Sequence, residues 1–318
     1  MGPPPGVVAV AFDPFVELTA TVESFAAGRA GQARSVRSSA RGKGLDVAAH
    51  MSVFGFPVTA TGWICLDDRP VVDRFLDQRG IAGRFVPIGA GSRIRLNVVD
   101  PVDRRITVLE LPGPRPEAGD VGRLADTLAE LAPAHRWCIL SGGLPPGVPD
   151  TVPRDLIRPL VAAGQRVLLD VPGAPFRAAL DACPFAVKPN LDELGEAVGR
   201  RVCTEGEILA AVDELIGRGI GCVIVSMGAD GAIFAEDGWR LHVRPPAVVV
   251  ASTAGAGDAM VAGFVAGKLR DYGFEDCARL ATAASVCALG RDAARPPDLR
   301  AIEAAMKDAT VRVLAAGR

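Results

Sequence analysis

Short, continuous apolar runs that close on a polar residue recur along this chain, and they constrain its fold more than any other feature. They lie at residues 7–12 (VVAVAF), at 137–140 before Ser141, at 165–170 (QRVLLD), at 185–188 (FAVK) and at 221–226 (GCVIVS). A strand with one wet face alternates apolar and polar residues, whereas a strand covered on both faces reads as an unbroken run. Helical segments fall between the runs, at 44–53 and 205–218. Buried strands alternating with helices predict an α/β chain, with a mostly parallel sheet covered on both sides. Ligands of such sheets lie beyond the carboxyl ends of the strands. Ser141, Asp170, Lys188, Asn190 and Ser226 all fall at or just past those ends.

Residues 92–111 differ. Residues 92–99 alternate charged or polar with apolar side chains, Asp100-Pro-Val-Asp103 makes a turn, and 104–111 reads as a second strand. This is a half-exposed hairpin, and it predicts a small β-rich lid on the α/β body. A lid suits a reaction that must exclude water.

Charge narrows the function classes. Lys+Arg 35 against Asp+Glu 37 leaves a net charge of −2, with no basic excess to meet nucleic-acid phosphates. The seven cysteines form no CxxC pair, which predicts reduced thiols in a cytoplasmic protein. The three histidines, at 50, 135 and 242, are too scattered for a His-rich metal site or a Ser/His/Asp triad. The start, Met1-Gly-Pro-Pro-Pro-Gly6, lacks the basic-then-apolar pattern of a secretory signal. Residues 245–267 are long enough to span a bilayer but carry Asp258 near the middle, at a cost of roughly 2.5–3.5 kcal/mol. A strand, a glycine loop and a helix account for that segment better, and no membrane association is expected.

Ser252-Thr-Ala-Gly-Ala-Gly-Asp258, followed by a helical stretch to Lys268, carries the strongest chemical signal. Gly255 and Gly257 permit a sharp turn and close approach of a ligand to the backbone. The free N–H groups and dipole of the helix that follows favour an anion. Asp258 reads in two ways, as a helix cap or as a base taking a proton from an attacking hydroxyl. Four further loops accompany it: Arg41-Gly-Lys-Gly44 with Asp46, Ser141-Gly-Gly-Leu-Pro-Pro-Gly147, Lys188-Pro-Asn190 with Glu193, and Val225-Ser-Met-Gly-Ala-Asp-Gly231.

With these loops in this order, the chain resembles the PfkB, or ribokinase-like, carbohydrate kinases from about Val8 to Leu289. It is nearest the 1-phosphofructokinase and tagatose-6-phosphate kinase branch, through SGGLPPGVP, KPNLDEL, Pro112-Gly-Pro114 and the lid's RLNV. No GxxxxGK[ST] loop occurs, so this is not the P-loop solution. The resemblance implies a ribokinase-like three-layer α/β/α fold over one domain, 1–318, with lid strands from about 13–40 and 92–111. It implies Asp258 as catalytic base, with Gly255, Ala256 and Gly257 supplying anion-hole amides. It implies ATP and Mg²⁺ as cofactors. Lys188, Asn190, Glu193, Ser226, Gly228 and Gly231 would line the nucleotide site, with Glu193 reaching the metal through water. Glu17, Gly42, Lys43 and Asp46 would face the acceptor sugar, and Arg95 and Asn97 would reach it from the lid. A homodimer through the open edges of the lid is also expected.

Departures from the branch pattern cluster on the acceptor side. Asp13-Pro14 with Glu17 stands for Asn-Pro with Asp, Arg41 for a glycine, Asp46 for Asn, Val99 for Lys, and Glu110-Leu111 for Asn-Glu. The formal charge changes sum to −2. The expectation is an intact nucleotide side and a more acidic acceptor pocket with fewer cations. Each lost charge-assisted contact to a sugar phosphate is worth about 1.5–3 kcal/mol. Kinases for a nucleoside or another small alcohol remain open on this fold, as does a non-catalytic sugar or nucleotide sensor.

Overall fold

The computed structural model describes residues 6–246, 254–289 and 297–316. In chain order the first elements are β1 (Gly6–Ala11), β2 (Phe15–Thr21), β3 (Ser35–Arg41), α1 (Lys43–Val53), β4 (Val58–Cys65), α2 (Arg69–Asp77), β5 (Ala82–Ile88), β6 (Ile94–Asp100) and β7 (Arg105–Leu111). Next come α3 (Ala118–Leu131), β8 (His135–Ser141), α4 (Val152–Ala162), β9 (Arg166–Asp170), α5 (Gly173–Ala179), β10 (Ala186–Val187), α6 (Leu191–Val198), α7 (Glu205–Gly217) and β11 (Cys222–Ser226). The remainder is β12 (Ala232–Glu236), β13 (Trp239–Arg244), α8 (Ala256–Leu269), α9 (Phe274–Ala288), α10 (Leu299–Asp308) and β14 (Thr310–Ala315).

The unbroken apolar runs become the centre of a ten-stranded sheet, ordered β14-β13-β12-β11-β10-β9-β8-β1-β4-β5. Pairing is parallel from β11 to β5 and antiparallel from β11 out to β14. Side chains of β1 divide between two cores, as a period-2 strand requires. Val7, Ala9 and Ala11 pack with Leu45 of α1, Val261 of α8 and Leu280 of α9. Val8 and Val10 pack with Leu124 of α3, Leu156 of α4 and Val212 of α7. Helices therefore cover both faces, giving three layers.

The hairpin expected at 92–111 is β6–β7, in register from Ile94↔Leu111 to Asp100↔Arg105. It belongs to a second sheet, ordered β3-β2-β6-β7. At its far end the Asp100 carboxylate accepts backbone N–H bonds from Ser24 (3.1 Å), Phe25 (2.8 Å) and Val102 (3.0 Å), which ties two loops together. The run at 185–188 yields only the two-residue β10, because the chain turns at Pro189 to start α6. Residues 247–253, including Ser252 and Thr253 of the glycine motif, lie outside the described residues. Downstream, residues 256–269 form the buried helix α8. Among the described residues no helix is long and apolar enough to cross a membrane, and no disulfide forms.

The start of α1 is pressed against the end of β1. A Cβ on Gly44 would collide with Ala11 Cα and the Val10 carbonyl oxygen, so a side chain here would push the loop 41–44 away from the sheet. Alanine favours a helix interior over glycine by up to about 1 kcal/mol, but overpacking a rigid contact costs about 1–3 kcal/mol. Gly44→Ala is therefore expected to lower the urea midpoint without changing the slope of the transition.

Candidate active site

A cavity of about 590 Å³ opens between the second sheet and the body. Its floor is Ala11–Asp13, Arg41–Gly44 and Ser141–Gly143, its lid side is Arg93–Arg95 and Glu110–Gly113, and its inner wall holds Gly255 and Asp258. Gly255 caps α8 with φ 81°, the left-handed region that suits glycine, and no side chain satisfies this helix start. The first-turn amides thus have no intrahelical partner. Asp258 sits in that first turn, 4% exposed, with its Oδ1 unpartnered. Burial pushes its carboxyl up to about 6; Lys43, Lys188 and Arg41 pull it down, and Asp170 pushes it up.

Asp170, at the carboxyl end of β9, joins two lysines. Its Oδ1 lies 3.2 Å from Lys188 Nζ and 3.4 Å from Lys43 Nζ, while Oδ2 is unpartnered. Burial alone would raise the Asp170 carboxyl, but Lys188 and Lys43 outweigh it and hold it below the usual range. Burial likewise opposes the Lys43 ammonium, and Asp170, Asp258 and Glu193 together keep its pKa above normal. A Cβ on Gly257 would lie 3.4 Å from Lys188 Nζ, so the glycine loop and the lysine are neighbours.

Beside this cluster, Asn190 and Glu193 form a capping box at the start of α6. Asn190 N–H donates to Glu193 Oε2 (2.9 Å), and Glu193 N–H donates to Asn190 Oδ1 (2.8 Å). Asn190 bridges Ser226, whose N–H donates to the Pro189 carbonyl (3.0 Å). Gly228 (φ 60°) and Gly231 (φ 86°) shape the turn after β11. These residues line the adjoining strand ends rather than the large cavity.

On the other side, Gly42, Lys43, Asp46 and Arg95 line the cavity. Glu17 lines a second cavity of about 430 Å³, beside Arg37, Ser39 and Arg74, and Asn97 lines neither. Asn97 sits one inward–outward repeat farther along β6 than Arg95, opposite Val108. The expectation of an acidic, cation-poor pocket needs correction. Asp13 lies 2.7 Å from Arg93, Asp46 3.3 Å from Arg41, and Glu110 2.7 Å from Arg95. Each carboxylate added relative to the branch pattern has an arginine on it. Arg115 also lines the cavity and carries no ion pair among the described residues. Burial pushes the Asp13 carboxyl up to about 6, against the pull of Arg93. The Arg95–Glu110 pair is largely exposed, 41% and 65%, and so contributes little to stability.

Sequence reasoning noted Asp170 at a strand end but gave it no role, and it missed all three arginine–carboxylate pairs. The one usable signal was the closeness of Arg41 to Asp46 in the chain; Asp13–Arg93 and Arg95–Glu110 join separate segments. Removing Asp170 tests the cluster. Lys188 is 5% exposed and Lys43 has a 42% exposed side chain, so Asp170→Ala strands one deeply buried cation. We expect a loss of about 3–5 kcal/mol in chemical denaturation, and a clearly smaller loss for Lys43→Met.

Known proteins resemble this chain in sequence and in fold. The family model described as pfkB family carbohydrate kinase matches residues 9–300. The 1-phosphofructokinase of Xanthomonas campestris pv. campestris is 38% identical over 293 residues, covering 91% of this chain and 92% of that protein. The 1-phosphofructokinase of Rhodobacter capsulatus is 33% identical, covering 97% and 98%. The crystal structure of phosphofructokinase-2 from Escherichia coli in complex with substrates and products superposes with a TM-score of 0.84, at 23% identity and 96% and 98% coverage, which speaks to the fold.

Proposed function

The chain belongs to the pfkB family of carbohydrate kinases, and we propose that it moves the γ-phosphoryl group of ATP, with Mg²⁺, onto a hydroxyl of a phosphofructose. Phosphoryl transfer to a sugar or sugar phosphate is the activity of the family and of its relatives; donor and acceptor are the finer reading. One observation carries it: a buried carboxylate with a free oxygen, at the unsatisfied start of a helix, between two lysines and the lid arginines.

Asp258 accepts the proton of the acceptor hydroxyl through its unpartnered oxygen. The amides of Gly255, Ala256 and Gly257 face charge that develops on the moving group. Lys43 and Lys188 neutralise it from either side, and Asp170 keeps both ammonium groups in place. Bound ATP supplies the phosphoryl group, and Mg²⁺ offsets the charge of its phosphates. Lys188, Asn190, Glu193, Ser226, Gly228 and Gly231 would hold them. The residues fit such a metal: Mg²⁺ binds through one or two carboxylates plus phosphate oxygens and water, and Glu193 brings one carboxylate near enough to Lys43 to raise its pKa. At the far end, Arg93, Arg95 and Arg115 suit the phosphate that the acceptor already carries, the first two by exchanging a carboxylate for it. Closure of the lid sheet over the cavity would exclude water.

The strand β7 is exposed along its whole length, with Ile106, Val108 and Leu109 open to solvent. A second copy would cover it, so a dimer mass in light scattering is expected, and Val108→Asp should shift it toward monomer.

Asp258→Asn should lower kcat by about 10²–10⁴-fold and leave the affinity for ATP unchanged in calorimetry. Because the carboxyl is pushed up to about 6 and acts as a base, kcat/KM for ATP at saturating acceptor should be level above that pH. Below it, kcat/KM should fall about tenfold per unit. ADP release measured with fructose 1-phosphate, fructose 6-phosphate and unphosphorylated sugars decides the acceptor. Faster turnover on an unphosphorylated sugar would overturn the phosphofructose assignment.

A further inference from the structure

The acceptor end of the cavity contains a buried ion pair that the mechanism above leaves without a task. Asp46, in the first turn of α1, is 5% exposed. Its Oδ2 lies 3.3 Å from Arg41 Nη2, while Oδ1 and Arg41 Nε are buried and unpartnered. Both residues line the cavity that holds Asp258. Resting on the function just proposed, we propose that Arg41 and Asp46 form one specificity unit. In it, Arg41 is a positioning residue that holds Asp46 for the acceptor's hydroxyls, and the pair keeps the acceptor's phosphate away from the Asp258 end.

The chemistry follows from what each group offers. An amide both donates and accepts, whereas a carboxylate only accepts. The free Oδ1 is therefore matched by a donor, which a sugar hydroxyl is and a phosphate oxygen is not. A site whose buried polar atom expects a hydroxyl discriminates strongly, because the wrong ligand leaves that atom unpaired. Arg41 alone would attract a phosphate, but with Asp46 on it the charge is already met. Other groups facing Asp46 set the pH range in which the pair is charged. Burial pushes its carboxyl up to about 8, Asp258 and Glu17 add to this, and Arg41 and the Gly42 amide pull it back, so Asp46 is the accepting carboxylate of the pair above that pH. His50, one turn along α1, is held down at about 4 by burial and by Arg41, so it stays neutral and supplies no competing cation.

The test is steady-state kinetics at a pH above about 8, where Asp46 is ionised, with fructose 1-phosphate as the acceptor probe, on the parent, Asp46→Asn, Arg41→Met and the double variant. Each single change should raise the acceptor KM about tenfold and leave the KM for ATP within about twofold. The double variant should be no worse than the poorer single, because the unit is broken only once. Arg41→Lys should recover part of the loss. Inorganic phosphate should compete with the acceptor about tenfold more strongly in Asp46→Asn than in the parent, and this gain should vanish in the double variant. A purely structural pair would instead move both KM values and the melting temperature. Single effects that multiply in the double variant, an unchanged acceptor KM, or unchanged inhibition by phosphate would each overturn the proposal. A parent that phosphorylates no sugar overturns the proposed function instead. Calorimetric binding of fructose 1-phosphate to the same four proteins then reads the pair separately.

Discussion

Two lysines held by one buried aspartate organise this molecule. Lys43 begins the helix after the first glycine loop, Lys188 follows a short central strand, and Asp170 ends the strand beside it. Asp170 and Lys188 come together because parallel strands bring their carboxyl ends to one edge, and Lys43 joins them because Gly44 seats the start of α1 against the end of β1. Two ammonium groups next to each other repel, and a buried carboxylate between them turns that repulsion into a fixed arrangement. Asp258 feels the whole cluster. Its lysine neighbours and Arg41 favour the charged form, while burial and Asp170 oppose it. A carboxyl poised near neutrality follows from that balance.

The lid side of the cavity is built on the same principle with different partners. Asp13, Asp46 and Glu110 add negative charge relative to the branch pattern, yet each meets an arginine. The pairs differ in depth. Arg41–Asp46 is nearly enclosed, Arg93–Asp13 is half-buried, and Arg95–Glu110 faces solvent. Strength of coupling should follow that order, since solvent screens exposed pairs. The deepest pair is thus a fixed feature of the pocket, and the outer arginines remain able to exchange partners.

Much of the body was legible in the residues. β1 reads as an unbroken apolar run because its alternate side chains enter two separate cores. The start of α8 was legible through its glycines and Asp258. The hairpin β6–β7 showed itself by alternation. Other features left weaker signals. β3, SVRSSAR, is mostly exposed and lacks an apolar stripe, so only its likeness to known lids pointed to it. Glu17 and Asn97 were assigned to the acceptor, but the cavity beside Asp258 is lined by neither. Strand twist and register decide which face each residue meets, and neither is written in local spacing. The Lys43–Asp170 contact joins positions 127 residues apart, and no periodicity reveals it.

The account stands on Asp258 as a base whose proton affinity the flanking lysines set. The acid limb of the kcat/KM profile, compared between the parent and Lys43→Met, measures this directly. Lys43 lowers the Asp258 pKa, so its removal should carry the limb to higher pH. A limb that stays in place while the rate falls would contradict the claim, since the titrating group would then lie elsewhere.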